Sequence, residues 1–151
     1  MVASSRTATA VHALAFLAQW QGGELRSSQA IAESLDSNPA FVRRVLGRLR
    51  ERGLVVAVEG AAGGWRLAKP AEEITLRDVH AVADDGAVPL PVHAHPPNRN
   101  CVIGRHMLSL LESEFADAQR AMEERLAQTS IADLLGRVYR SERAEEAARG
   151  N

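Results

Sequence analysis

Four arginines crowd one short stretch of this chain, Arg43, Arg44, Arg48 and Arg50, at positions that neighbour one another on a helix. A guanidinium grips phosphate as a cation or reads guanine through two parallel hydrogen bonds. The chemistry offered is therefore recognition of a polyanion. Asn38-Pro39 stands just before them and reads as an N-cap followed by proline at the first helical position. If this helix enters a DNA major groove, its N-terminal residues meet the base edges. The candidate contact set is Ser28, Asn38, Pro39, Ala40, Phe41, Arg43, Arg44 and Arg48. Gly47 lies on the same outward face and permits close approach to a backbone. The alternative is a solvated basic helix face that binds nothing.

A second group capable of chemistry surrounds the single cysteine, Cys101, with His93, His95 and His106 nearby and His12 far upstream. One thiolate and scattered imidazoles are a poor ligand set for iron-sulfur or zinc. No cofactor is expected. A cluster held by Cys101 and histidines is the less favoured alternative. A lone thiol before a helix N-terminus, flanked by Arg99 and Arg105, could act as a redox sensor. A small apolar residue without reactivity is the competing reading. A Cys-His nucleophile pair would make a small hydrolase. No orienting acid, oxyanion-type glycine loop or sheet pattern accompanies it, so an enzyme is not expected.

The elements that must position these residues follow from the hydrophobic pattern. A first helix capped at Ser4 or Ser5 runs to about Gln19 and carries Val11, Leu14, Ala15, Leu17 and Ala18, and Gly22-Gly23 ends it. A short helix after Ser27 or Ser28 carries Ile31, Ala32 and Leu35. The arginine helix turns Val42, Val45, Leu46 and Leu49 inward and ends at Gly53. Two helices joined by a tight turn form the helix-turn-helix pattern. Leu54–Val58, a glycine-rich turn and Trp65–Leu67 then make a β-hairpin. Placed after a recognition helix, such a hairpin is a wing. Gly63, Gly64, Trp65 and Arg66 are its candidate DNA contacts, the glycines through close backbone approach and Arg66 through charge.

The second half reads as a dimerisation arm. Thr75 caps a short helix over Leu76–Ala83, and a proline-rich loop follows from Asp84 to Asn100. A long helix from about Ile103 to Gln128 bears Leu108, Leu111, Phe115, Ala118, Met122 and Leu126 at near-heptad spacing. It exceeds what so small a domain can cover, so a partner helix is expected. Ser130 to Asp133 reads as a capping box for a last short helix through Val138. The charged tail after Arg140 is expected to fray.

Composition agrees with this layout. The 46% apolar fraction of the 151 residues supports a core, and the 4% aromatic content means that core is aliphatic. Residues 1–69 hold nine basic and five acidic side chains, a net of +4, and residues 70–151 hold nine and fourteen, a net of −5. A basic module before an acidic one suits a protein whose first half meets a polyanion. A single cysteine, with no secretory pattern and no apolar run of membrane-spanning length, points to the cytoplasm.

The expected organisation is a mainly α chain with a small β-wing. Residues 1–83 form a winged helix-turn-helix domain, 84–102 a loop and possible sensor region, 103–140 dimerisation helices, and 141–151 a flexible tail. Leu46-Gly47-Arg48-Leu49-Arg50-Glu51-Arg52-Gly53-Leu54-Val55, then Gly60 to Pro70, then Glu73 to Val79, resemble the Rrf-two family of bacterial winged-helix transcriptional regulators. The Gly63-Gly64-aromatic-Arg-Leu wing is the most specific part, with Trp65 where the family usually has tyrosine. The resemblance spans about Ala8 to Leu135. It implies a crossed-helix homodimer on double-stranded DNA, a pseudo-palindromic operator and a repressor role. A small-molecule effector in the cleft between the wing domain and the long helix is a further option. Cluster-binding relatives carry three cysteines before the long helix, and this chain has only Cys101. Gly104 stands where one such relative has a histidine.

Overall fold

The structure is a computed structural model that describes residues 6–20, 22–84 and 90–150. Its elements run α1 (Arg6–Ala18), α2 (Ser28–Leu35), α3 (Pro39–Glu51), β1 (Val55–Val58), β2 (Gly64–Leu67), a 3-10 turn (Ala71–Glu73), α4 (Leu76–Ala83), α5 (Val102–Leu126) and α6 (Ile131–Arg149). The caps expected at Ser4 or Ser5 lie outside the described residues.

An aliphatic core holds the first four helices together. Leu14 of α1, Ile31 of α2 and Val42, Leu46 and Leu49 of α3 have no exposed surface, and Val45 is also buried. Burying one such side chain contributes about 1.5–3 kcal/mol, so α3 is anchored by its inner face alone. The Ser27 hydroxyl accepts the Ala30 N–H at 3.1 Å to start α2. Asp36 ends it in the left-handed region at φ 47°. Only Asp36, Ser37 and Asn38 then separate α2 from α3, which fixes the angle between the two helices. Gly53 takes φ 70° after α3, the left-handed stop expected of it.

β1 and β2 pair antiparallel, Val55 opposite Leu67 and Val58 opposite Gly64. A third extended residue joins them: Arg26 N–H donates to the Trp65 carbonyl at 2.9 Å, and Trp65 N–H donates back at 2.8 Å. The wing is thereby tied to the segment before α2 rather than standing free.

The N-termini of α4 and α6 meet. Both begin with capping boxes, Thr75 with Asp78 and Ser130 with Asp133. The two caps form an antiparallel bridge in which Leu76 N–H donates to the Thr129 carbonyl at 2.9 Å and Ile131 N–H to the Ile74 carbonyl at 2.8 Å. Ile131 enters the core of the first domain with no exposed surface. Leu135 and Ala132 pack against that core too. The first turn of α6 thus packs with residues 6–83. Capping geometry brings it back, and no local pattern marks that return.

The expected end of the last helix near Val138, with a frayed tail, is corrected as well. α6 continues to Arg149. Residues 139–149 are rich in Ala, Glu and Arg, strong helix formers. An Arg149–Glu145 pair at 3.1 Å adds support one turn apart. Exposure alone does not end a helix of this composition. α5, by contrast, has no buried residue along its 25 positions. Its apolar stripe of Leu108, Leu111, Phe115, Met122 and Leu126 is half-buried, Ala118 is exposed, and Ile103 and Leu110 are 63% and 59% exposed.

Candidate nucleic-acid interface

α3 presents its N-terminal half outward on a rigid footing. Asn38 Oδ1 accepts the Ala40 N–H at 2.7 Å, and Pro39 occupies the first turn. Asn38 keeps its amide N–H groups for an outside partner. Ala40, Arg43, Arg44 and Arg50 are exposed, and no heavy atom comes within 4 Å of a Cβ built at Gly47. This gives a basic face with a shallow centre, opposite a fully buried face. Ser28, in the first turn of α2, is half-buried.

Two expected contacts sit elsewhere than on that face. Phe41 is half-buried and packs against the core, with the Arg44 guanidinium 5.8 Å from its ring centroid. Arg48 is half-buried on the same flank. At 100° per residue both fall between the inner and outer faces of α3, a distinction blurred when residues are sorted only as in or out.

In the wing, only Arg66 among the expected residues is exposed. Trp65 turns inward and packs against the core while its backbone holds Arg26. The glycines are required by the chain itself. A Cβ on Gly63 would stand 2.1 Å from the Val58 carbonyl oxygen, and one on Gly64 would stand 2.7 Å from that of Arg26. The expected reason, close approach to phosphate, is thus preceded by an internal one. Sequence reasoning does not single out Arg26. Its guanidinium lies 3.8 Å from the Trp20 ring centroid and also pairs with Glu24 at 2.8 Å. A single bridging residue leaves no periodic signal in a sequence.

Cys101 is exposed and is the N-cap of α5. The Gly104 and Ile103 backbone N–H groups, at the start of α5, bring its thiol below the usual cysteine range. The preceding loop closes on the helix: Cys101 N–H donates to the Asn98 carbonyl at 3.2 Å, and Arg105 Nε donates to the Arg99 carbonyl at 3.1 Å.

A short helix, a three-residue turn, a basic helix with a buried inner face, and a glycine-dependent hairpin tied beside it define a winged helix-turn-helix DNA-binding protein. Comparison with known proteins agrees. The Rrf2 profile, described as iron-dependent transcriptional regulator, matches residues 3–137, and the chain belongs to that family. The HTH-type transcriptional regulator YwnA of Bacillus subtilis is 31% identical over 136 residues, covering 90% of this chain and 98% of YwnA. Among solved structures, T. potens IscR matches with a TM-score of 0.67 at 25% identity, over 91% of this chain and 88% of that one. A transcriptional regulator from Lactobacillus plantarum shares the fold with a TM-score of 0.74 at 20% identity, over 97% of each chain. This protein is a DNA-binding transcriptional regulator.

Iron dependence in the family description raises the question of a cluster. The donor set here does not fit one. The chain has one cysteine. Among the described residues no group of three His, Cys, Asp or Glu side chains is placed to hold a metal. A Cβ at Gly104 would stand 2.3 Å from the Asn98 carbonyl oxygen, so the loop occupies the space that a ligating side chain at this position would need.

Proposed function

We propose that this regulator is a homodimeric repressor that binds a pseudo-palindromic operator without an iron-sulfur cluster. Each protomer inserts α3 into the major groove, with Arg43 and Arg44 reading or gripping the duplex and Arg66 of the wing contacting the flanking backbone. The observation that carries the DNA reading is the exposed Arg43–Arg44 pair on a helix whose opposite face is wholly buried.

Dimerisation rests on α5. A 25-residue helix without one buried side chain is unstable as a solitary arm, because helix stability in proteins comes chiefly from packing an apolar face. The stripe Leu108, Leu111, Phe115, Ala118, Met122 and Leu126 supports a second copy as its partner. A groove of about 820 Å³ between α1 and α6, lined in part by Val11, Phe16, Leu135 and Val138, offers further apolar surface on the same protomer. Cys101 lies where the loop enters this arm, which favours it as the point of any redox input. An oxidised thiol there would disturb the helix cap and the spacing of the two recognition helices.

Genomic footprinting with purified protein, paired with sedimentation at micromolar concentration, tests the proposal. Two protected half-sites a whole number of helical turns apart and a dimeric mass are expected. A monomer, or the absence of any protected site, would overturn it.

A further inference from the structure

The turn that joins β1 to β2 carries an acid and no base. Glu59 is exposed there, and Gly60, Ala61, Ala62 and Gly63 complete the tip without another charge. Among the described residues no ion pair or hydrogen bond engages the Glu59 carboxylate. Gly63 N–H closes the turn on the Gly60 carbonyl at 3.0 Å, and Gly60 holds φ 106°. The paired bonds between Arg26 and Trp65 tie β2 to the segment before α2. The hairpin is thereby held in one place, and Glu59 travels with it to whatever α3 binds.

We infer that Glu59 enters the minor groove beside the α3 site and selects guanine there. The inference rests on the DNA-binding reading of α3. When α3 fills a major groove, the surface next to it along the duplex is a phosphate backbone and then the minor groove. Arg66 stands two residues behind Gly64 on β2, ~7 Å back along the strand, so Arg66 meets the backbone and the tip meets the groove. Phosphates repel a carboxylate, so Glu59 weakens binding unless a donor compensates it. The minor-groove floor offers acceptors at every base pair and one donor alone, the guanine N2 amine. A carboxylate accepts hydrogen bonds and donates none. Only a G·C pair therefore satisfies Glu59. A·T tracts, with a narrower groove and a stronger negative potential, repel it. The acid gives up general affinity for DNA in exchange for selection of the flanking sequence.

The test uses the whole protein and duplexes that wild type recovers from a random-sequence pool, so the operator need not be known beforehand. Guanines flanking the α3 contacts are replaced by inosine, which lacks the N2 amine and keeps the O6 and N7 that face the major groove. Wild-type binding should fall by about tenfold at one such position in each half-site, the scale of a hydrogen bond to a charged group. Glu59→Ala should show no loss there. Diaminopurine in place of a flanking adenine adds the same amine to an A·T pair, and it should raise affinity in wild type alone. On a mixed-sequence duplex Glu59→Ala should bind more tightly than wild type, because a repelled charge is gone. Melting temperature serves as the folding control, and Glu59 is exposed, so the variant should fold. Equal inosine losses in wild type and folded Glu59→Ala, or no loss in either, would overturn the inference while leaving DNA binding by α3 intact. Recovery of no sequence by wild type would instead overturn the functional proposal beneath it.

Discussion

Gly64→Ala tests how the wing is held. A methyl at this position would stand 2.7 Å from the Arg26 carbonyl oxygen and 2.9 Å from its carbon, both backbone atoms that no rotamer change can move aside. The φ of 156° adds strain for any residue with a Cβ. Relief requires β2 to move away from Arg26, which breaks the paired bonds of 2.9 and 2.8 Å. Two such bonds contribute about 1–3 kcal/mol, and backbone strain adds about 1–3 kcal/mol if the pairing is kept instead. The variant should therefore be destabilised by about 1–3 kcal/mol. At about 2–4 °C per kcal/mol for a chain of this size, the melting temperature should fall by roughly 6 °C. Calorimetry gives that number, and fluorescence anisotropy on labelled duplex DNA should show weaker binding because Arg66 shifts with its strand. A melting temperature close to that of wild type would refute the claim that the glycine is needed for wing docking.

Gly47→Ala should behave oppositely. Nothing lies within 4 Å of its Cβ, so the helix gains about 0.4–1 kcal/mol in thermal unfolding, while a methyl on the DNA-facing surface lowers affinity. Arg43→Ala and Arg44→Ala should each weaken binding, and whichever arginine reads a guanine should cost about 1–3 kcal/mol with relaxed selection at that base in a footprint. Leu111→Asp or Phe115→Asp should yield monomers or aggregates in sedimentation, and an unchanged dimer would discard α5 as the arm. Cys101 should alkylate with a pH midpoint below that of the urea-unfolded chain. Since its folded pKa is the lower one, its contribution to stability is present above the unfolded value and lost as pH falls through the folded one. Coincident midpoints would remove the capping explanation, and equal peroxide sensitivity of operator binding in wild type and Cys101→Ser would dismiss a sensor role.

Much of the fold can be read from local chemistry. Thr75 with Asp78 marks the start of α4 because a capping box is a pattern of near neighbours in the chain. Val42, Val45, Leu46 and Leu49 mark the inner face of α3 because periodicity survives in sequence. What escapes depends on distant partners. Trp65 reads as a wing contact, yet Arg26 and the core claim it, and those lie far away in the chain or are built from several elements. Phe41 and Arg48 sit on a flank whose meaning appears only once α1 and α4 are beside it.

Ile131 carries a consequence for synthesis. The first domain holds its core together with a residue made after α4, the loop and the whole of α5 have been translated. Chains generally fold from the N-terminus as they emerge, but here residues 6–83 leave the ribosome with the Ile131 site on the core still open. The nascent domain must hold that apolar gap uncovered while the loop and α5 are still being made, a window for chaperone capture or for pairing with a neighbouring nascent chain. A message truncated after α5 would leave the gap permanently open. Release of a well-folded reader head therefore waits on the arrival of α6.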